Sequence, residues 1–191
     1  MMRLLLASSL LLISLPPCAG DKNVEIGFAH RNFDSAVFGS ADEQGGMVAR
    51  LDFGGKFFRP AVGLSYSATT AEHDLAILEP FDDEASAFEL SGGFLVSKFE
   101  KSFRPYLGAG LSGMWVRVKL LQSTGVSIND GDFASGFYVN TGFVRRSPKE
   151  PNISFGLDLR YHAGQDIKIL DQTGDNDFFQ IGFLVGFRIS G

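Results

Sequence analysis

Side chains over residues 179–189 change character at every step. Phe179, Ile181, Phe183, Val185, Phe187 and Ile189 form one set; Gln180, Gly182, Leu184, Gly186 and Arg188 form the other. A period of two belongs to a β-strand, whose successive side chains point to opposite faces. A helix would mix the two sets. The segment before it repeats the pattern: Ile153, Phe155, Leu157, Leu159 and Tyr161 oppose Ser154, Gly156, Asp158, Arg160 and His162. Chains built this way must close or stack their sheets, because one face of every strand is apolar.

Six further segments alternate in the same way, around residues 24–29, 47–53, 58–66, 88–97, 103–115 and 136–143. That predicts eight strands of roughly 9–13 residues, close to what a tilted strand needs to cross a bilayer. Pro60 and Pro105 cannot donate to a ladder, and both lie near a strand start, where that loss matters least. The connections alternate in length. Long ones run over about 34–44, 69–85, 121–131 and 164–176; short ones lie at 54–56, 99–102 and 147–151. Charge follows length. Asp34, Asp42, Glu43, Glu72, Asp74, Glu79, Asp82, Asp83, Glu84, Asp130, Asp171 and Asp175 fall in the long connections, whereas Lys56, Lys98, Lys101, Arg145, Arg146 and Lys149 gather at the short ones. Residues 56–63 and 101–108 echo each other, Lys-Phe-Phe-Arg-Pro-Ala-Val-Gly against Lys-Ser-Phe-Arg-Pro-Tyr-Leu-Gly, which reads as one turn chemistry used twice.

Alternation alone does not say which face is inside. The polar set decides. It is rich in Gly, Ser and Ala and carries isolated charges of both signs: Glu25, Arg31, Arg50, Asp52, Arg59, Glu89, Arg104, Asp158, Arg160 and Arg188. A solvated face would hold Lys, Glu and Thr and avoid glycine. Small residues with a few opposite charges suit a crowded interior, where charges must be paired. The chain's 23 glycines and 19 phenylalanines then divide between the crowded inside and the greasy outside. Tyr66, Phe88, Trp115, Tyr161 and Phe179 fall at one end of the strands, and Phe53, Phe103, Phe143 and Phe187 at the other, as two interfacial girdles would. An eight-stranded barrel has room inside only for side chains, so the expected lumen is a salt-bridged filling and no wide pore.

The first twenty residues read as an export leader. Arg3 precedes an apolar run over residues 4–15, too short to span a bilayer; Pro16-Pro17 ends it, and cleavage is expected after Gly20. A lipoprotein would keep Cys18 as its acylated first residue, but Pro17 stands where that processing wants a small one. Residues 21–191 then form one barrel domain with no thiol. The net charge is −5, against nucleic acid as a partner.

With these residues in view, the chain resembles the small outer-membrane β-barrel superfamily, which includes the outer-membrane protein A transmembrane domain and the opacity-type adhesins. The resemblance rests on the leader, the Phe103-Arg104-Pro105-Tyr106-Leu107-Gly108-Ala109-Gly110 strand, the Gly156-Leu157-Asp158-Leu159-Arg160-Tyr161 strand and the final alternating strand. It departs at the end, where Phe187 is followed by Arg188, Ile189, Ser190 and Gly191 instead of closing on an aromatic residue. It implies an all-β, eight-stranded antiparallel transmembrane up-and-down barrel in the outer membrane of a Gram-negative bacterium. The implied partners are outer-membrane lipid, lipopolysaccharide and, during insertion, the barrel-assembly machinery; the expected state is a monomer.

Some barrels of this size hydrolyse lipid A, with a Ser–His pair written His-x-Ser near the outer end of a late strand. Tyr161-His162-Ala163-Gly164 occupies that place, but Gly164 stands where the serine would be, and His162 belongs to the inward set. His30 and His73 make no stronger case. The acidic stretches Asp82-Asp83-Glu84 and residues 171–177 are candidates for divalent cations, also as bridges to lipopolysaccharide phosphates, although neither keeps the calcium-loop register. No catalytic, cofactor or metal residue is therefore assigned. The expectation is a non-enzymatic barrel serving envelope integrity or surface recognition through four acidic outer loops. A lipid A or phospholipid hydrolase and a soluble lipocalin-like carrier are the competing readings.

Overall fold

The computed structural model describes residues 21–34, 41–55, 57–73, 81–98, 102–122, 127–169 and 171–189. The leader with Cys18, and Lys56, Asp74, Glu79 and Lys101 of the charge pattern, lie outside them. Among the described residues ten strands follow one another: β1 (Asp21–Phe33), β2 (Glu43–Gly54), β3 (Phe58–His73), β4 (Phe81–Ser97), β5 (Phe103–Gln122), β6 (Ser127–Arg146), β7 (Ile153–Gly164), β8 (Ile167–Ile169), β9 (Gln172–Gly174) and β10 (Phe178–Ile189). Eight of them close a barrel in the order β1-β10-β7-β6-β5-β4-β3-β2, every neighbour antiparallel, while β8 and β9 pair only with each other.

The register gives the stagger of the barrel. One outward rung runs Phe133, Trp115, Phe88, Tyr66, Met47, Phe28, Phe183, Leu157 and back onto β6 at Phe143. A full circuit thus descends β6 from Phe133 to Phe143. For eight strands such a stagger means a tilt of about 40°. Both prolines end a ladder. Pairing of β3 with β2 stops at Ala61, just above Pro60, and pairing of β5 with β4 stops at Tyr106, just above Pro105. The repeated Arg-Pro thus marks the short-turn rim of the barrel twice.

The polar set faces inward and the apolar set outward. Glu25, Arg31, Asp52, Arg59, Glu89 and Arg104 are buried, whereas Phe28, Leu107, Leu111 and Phe183 are 64–71% exposed. An apolar exterior with a charged interior is stable only in a bilayer, and a closed barrel leaves no unpaired strand edge there. The lipocalin-like alternative required the opposite orientation and is set aside. Inward glycines make space for rings. A Cβ at Gly93 or Gly110 would come within 2.7 Å of Tyr138, so that ring lies across two strands where they carry no side chain.

Two expectations change. The strands are unequal: β1, β2, β7 and β10 have 12–13 residues, but β3 and β4 have 16 and 17, and β5 and β6 have 20 each. Glu43, Glu72, Asp82, Asp83, Glu84 and Asp130 therefore lie on strands and not in loops. An apolar-out pattern stops at Phe88 and Trp115, because the two faces exchange polarity there. The fourth long connection, over 164–176, is not irregular either; it holds the β8–β9 hairpin.

Candidate functional site

The lumen contains two charge clusters. Toward the short turns, Glu25, Asp52 and Asp158 face Arg50, Arg59 and Arg104. Arg50 donates from Nε to Glu25 Oε2 and from Nη1 to Asp158 Oδ1, each 2.8 Å; Arg104 Nη2 donates to Glu25 Oε1 at 2.8 Å. Asp52 accepts from Arg59, and also from Asn23 Nδ2 at 2.9 Å. Tyr106 and Asn140 donate to Asp158. Higher up, Glu89 takes both Arg31 and Arg160, with Ser65 Oγ donating at 3.1 Å. Arg31 Nε donates to Gln180 Oε1 at 2.8 Å. This cluster has two cations for one acid, and aromatic faces take the excess: Arg160 lies 3.8 Å from the Tyr138 ring centre and Arg31 4.5 Å from that of Phe178. Each carboxylate here faces at least one guanidinium, as burial requires.

The lumen is not polar throughout, which corrects the expected salt-bridged filling. Above Glu89 the inward set becomes apolar. Ala85 and Ala87 on β4, Met114, Val116 and Val118 on β5, and Ala134 on β6 pack with Phe33, Phe178 and two residues of the hairpin, Ile167 and Ile169. Over the same stretch the outward set becomes polar: Glu84 and Ser86, then Arg117 and Lys119. The signal was present in Met114-Trp115-Val116-Arg117-Val118-Lys119-Leu120, a strand pattern whose faces have exchanged polarity.

His162 sits at the junction of the two levels. It is fully buried, its ring stacks on Phe178 at 4.7 Å, and Nδ1 meets the Asn176 carbonyl at 3.0 Å. Gly136 clears the space beside it, since a Cβ there would lie 2.6 Å from Nε2. Among the described residues no hydroxyl or carboxylate hydrogen-bonds to the ring, so the geometry has no nucleophile for it to activate. His30 points outward from β1; the side chains of His73, Asp82 and Asp83 lie outside the described residues.

The acids of 171–177 do not close on one ion, although Asp175 lies beside Asp166. Asp171 pairs with Lys168 at 3.2 Å, while Asp177 accepts from the Gly164 amide and the Tyr161 hydroxyl at 2.9 Å each. No three His, Cys, Asp or Glu groups among the described residues are placed to hold one metal ion.

No family model matches the chain, and no curated protein matches it. Solved structures do. The outer membrane protein OprG from Pseudomonas aeruginosa superposes with a TM-score of 0.64 at 11% identity, covering 91% of this chain and 98% of that one. Ail, the attachment invasion locus protein of Yersinia pestis, in complex with the heparin analogue sucrose octasulfate, gives 0.60 at 12% identity over 89% and 99%. Neisserial surface protein A gives 0.54 at 19% identity over 89% and 97%. At such identities the likeness is one of fold. The fold is that of the small outer-membrane β-barrels, and the apolar exterior of this chain suits a bilayer.

Proposed function

We propose that this protein is a monomeric, non-enzymatic barrel of a Gram-negative outer membrane that acts through the sheet raised by β3, β4, β5 and β6 beyond the bilayer. One observation carries this reading: the lumen is filled and its mouth is capped, while four strands continue past the aromatic rung into the extracellular space. A filled lumen leaves nothing to conduct, and His162 has nothing to activate. What remains accessible is the outer rim.

That rim is acidic. Asp34, Glu43, Glu84, Asp166, Asp171 and Asp175 are exposed there. Such a field repels sulphated ligands of the kind bound in the Ail complex and attracts a cationic surface. The partner that fits is therefore a basic patch on a protein or peptide. The test places the barrel in nanodiscs over polylysine and over sulphated-sugar surfaces at low and physiological salt. Salt-sensitive capture on polylysine, lost in the combined Asp166→Asn, Asp171→Asn, Asp175→Asn variant, is the expected result. Preference for the sulphated surface, or steady conductance in planar bilayers, would overturn the proposal.

A further inference from the structure

The outward face of β5 changes character within two residues. Trp115 is half-exposed and belongs to the aromatic rung, with ring centres 5.9 Å from Phe88 and 4.7 Å from Phe133. Arg117, the next outward residue, is exposed and has no hydrogen-bond or ion-pair partner among the described residues. Lys119, one step higher, is engaged with Glu84 at 3.5 Å. An aromatic rung marks the bilayer interface, so Arg117 is held at headgroup depth.

The surroundings of Arg117 are open. At its level stand Ser86 on β4 and Gly131 on β6. Gly131 cannot carry a side chain, because a Cβ there would lie 2.6 Å from the Val116 carbonyl oxygen. Below, Gly113 makes room for the Phe133 ring, which a Cβ would meet at 2.9 Å. The result is a groove of about 680 Å³ on the outside of the barrel, bordered by the rings of Tyr66, Phe88, Trp115 and Phe133, with Arg117 along its upper side. Asp130 and Asp132 also border it, from the inward set of β6. The Asp132 carboxylate accepts from the Phe133 and Lys168 amides, and that of Asp130 from the Gly131 amide.

We propose that this groove binds a phosphorylated lipid of the outer leaflet, its phosphate on Arg117 and its acyl portion along the aromatic shelf. The inference rests on the reading of the chain as an outer-membrane barrel. A guanidinium matches a phosphate in two-pronged geometry. At the edge of the hydrocarbon layer that pairing is screened less than in bulk water. The site faces the bilayer sideways, where lipid is the available occupant. Ser86 and Asn129 also line the groove.

Trp115 is the chain's one tryptophan and lines the groove, so its emission reports occupancy directly. The barrel, refolded in phosphatidylcholine vesicles, is titrated with diphosphorylated lipid A and with lipid A stripped of its phosphates. The expected result is a saturable emission change with the phosphorylated form only. Arg117→Gln weakens it by about tenfold or more, the range for loss of a charged hydrogen-bonding partner. Arg117→Lys falls between, and Arg145→Gln, an outward charge at the opposite end of β6, leaves it unchanged. Equal titration of Arg117→Gln and wild type, equal response to the stripped lipid, or failure to saturate would each overturn the site. Saturation by inorganic phosphate alone would overturn the assignment to lipid. A heat-dependent gel shift, measured on every variant, keeps failure of the barrel itself distinguishable from failure of the groove.

Discussion

Below the aromatic rung, the strands of this protein carry apolar residues outside and charge inside; above it, β4 and β5 do the reverse. On β5 the outward face runs Phe103, Leu107, Leu111, Trp115 and then Arg117, Lys119, while the inward face runs Arg104, Tyr106, Gly108, Ser112 and then Met114, Val116, Val118. The backbone does not notice the change; the ladder with β4 is continuous from Phe81↔Gln122 to Ser97↔Tyr106. The solvent changes. In the bilayer the outside is hydrocarbon, so apolar side chains gain nothing by turning inward and the lumen collects the polar groups. Above the bilayer the outside is water, and the hydrophobic effect drives apolar groups under a cover. The β8–β9 hairpin provides that cover. One sheet therefore obeys the rules of a membrane protein and of a soluble one, divided at a line of aromatic rings.

The largest effect is expected in the lumen. Glu25→Ala takes from Arg50 and Arg104 their shared partner inside the buried cluster, leaving Asp158 and Asp52 to balance three guanidiniums. A loss of about 3–5 kcal/mol is expected, the usual cost of stranding a buried charge, read by urea unfolding of the barrel in vesicles. Glu25→Gln should cost less, because the amide oxygen still accepts. A loss under about 1 kcal/mol for Glu25→Ala would mean the lumen is hydrated and the clusters are loose.

The exterior comes next. Leu111→Arg puts a charge into hydrocarbon and should cost about 2–4 kcal/mol, whereas Lys119→Ala, on the same face of the same strand beyond the rung, should stay within about 0.5 kcal/mol. Similar costs at both positions would erase the boundary. In the cap, Ile169→Ala removes buried apolar volume and should cost about 2 kcal/mol, with faster amide exchange confined to the hairpin and to the β6 residues it covers. Exchange that quickened through the whole barrel would show the cap to be part of the global fold.

The smallest effect sharpens the picture at the rim. The charge of Asp166 beside it raises the Asp175 carboxyl above the ordinary carboxylate range. Since its folded value is raised, stability falls as pH climbs from the ordinary value through the raised one, and is recovered when Asp175 takes a proton. Asp175→Asn should therefore slow amide exchange in the hairpin slightly at neutral pH and abolish its weak acid dependence. Exchange unchanged at every pH would mean the two acids do not interact in solution.

Much of this architecture was legible in the linear pattern. The period of two located all eight barrel strands. The Gly, Ser and isolated Arg or acid residues told which face was inside, since only a crowded lumen wants them. Pro60 and Pro105 marked the rim. Strand and membrane span are not the same length in β3 to β6. Residues 116–120 and 128–134 carry the same period as their neighbours, but an apolar-out template has no place for Arg117 or Lys119 and so stops short of the true strand ends. His162 was correctly placed on the inward set, and its neighbours Asn176 and Phe178 could not be inferred from spacing.

Local order by itself determined strand, face and the alternation of long and short connections, because each follows from side-chain chemistry within a few residues. Partners were decided only by closure. Glu25 meets Arg50 and Arg104, Glu89 meets Arg31 and Arg160, and the hairpin isoleucines meet Val116 and Val118, across separations of tens of residues. Those pairings depend on the ring's stagger, a property of the whole circuit that no single strand contains. The groove under Arg117 has the same origin: Tyr66, Phe88, Trp115 and Phe133 become one shelf only because four strands bring them to one rung.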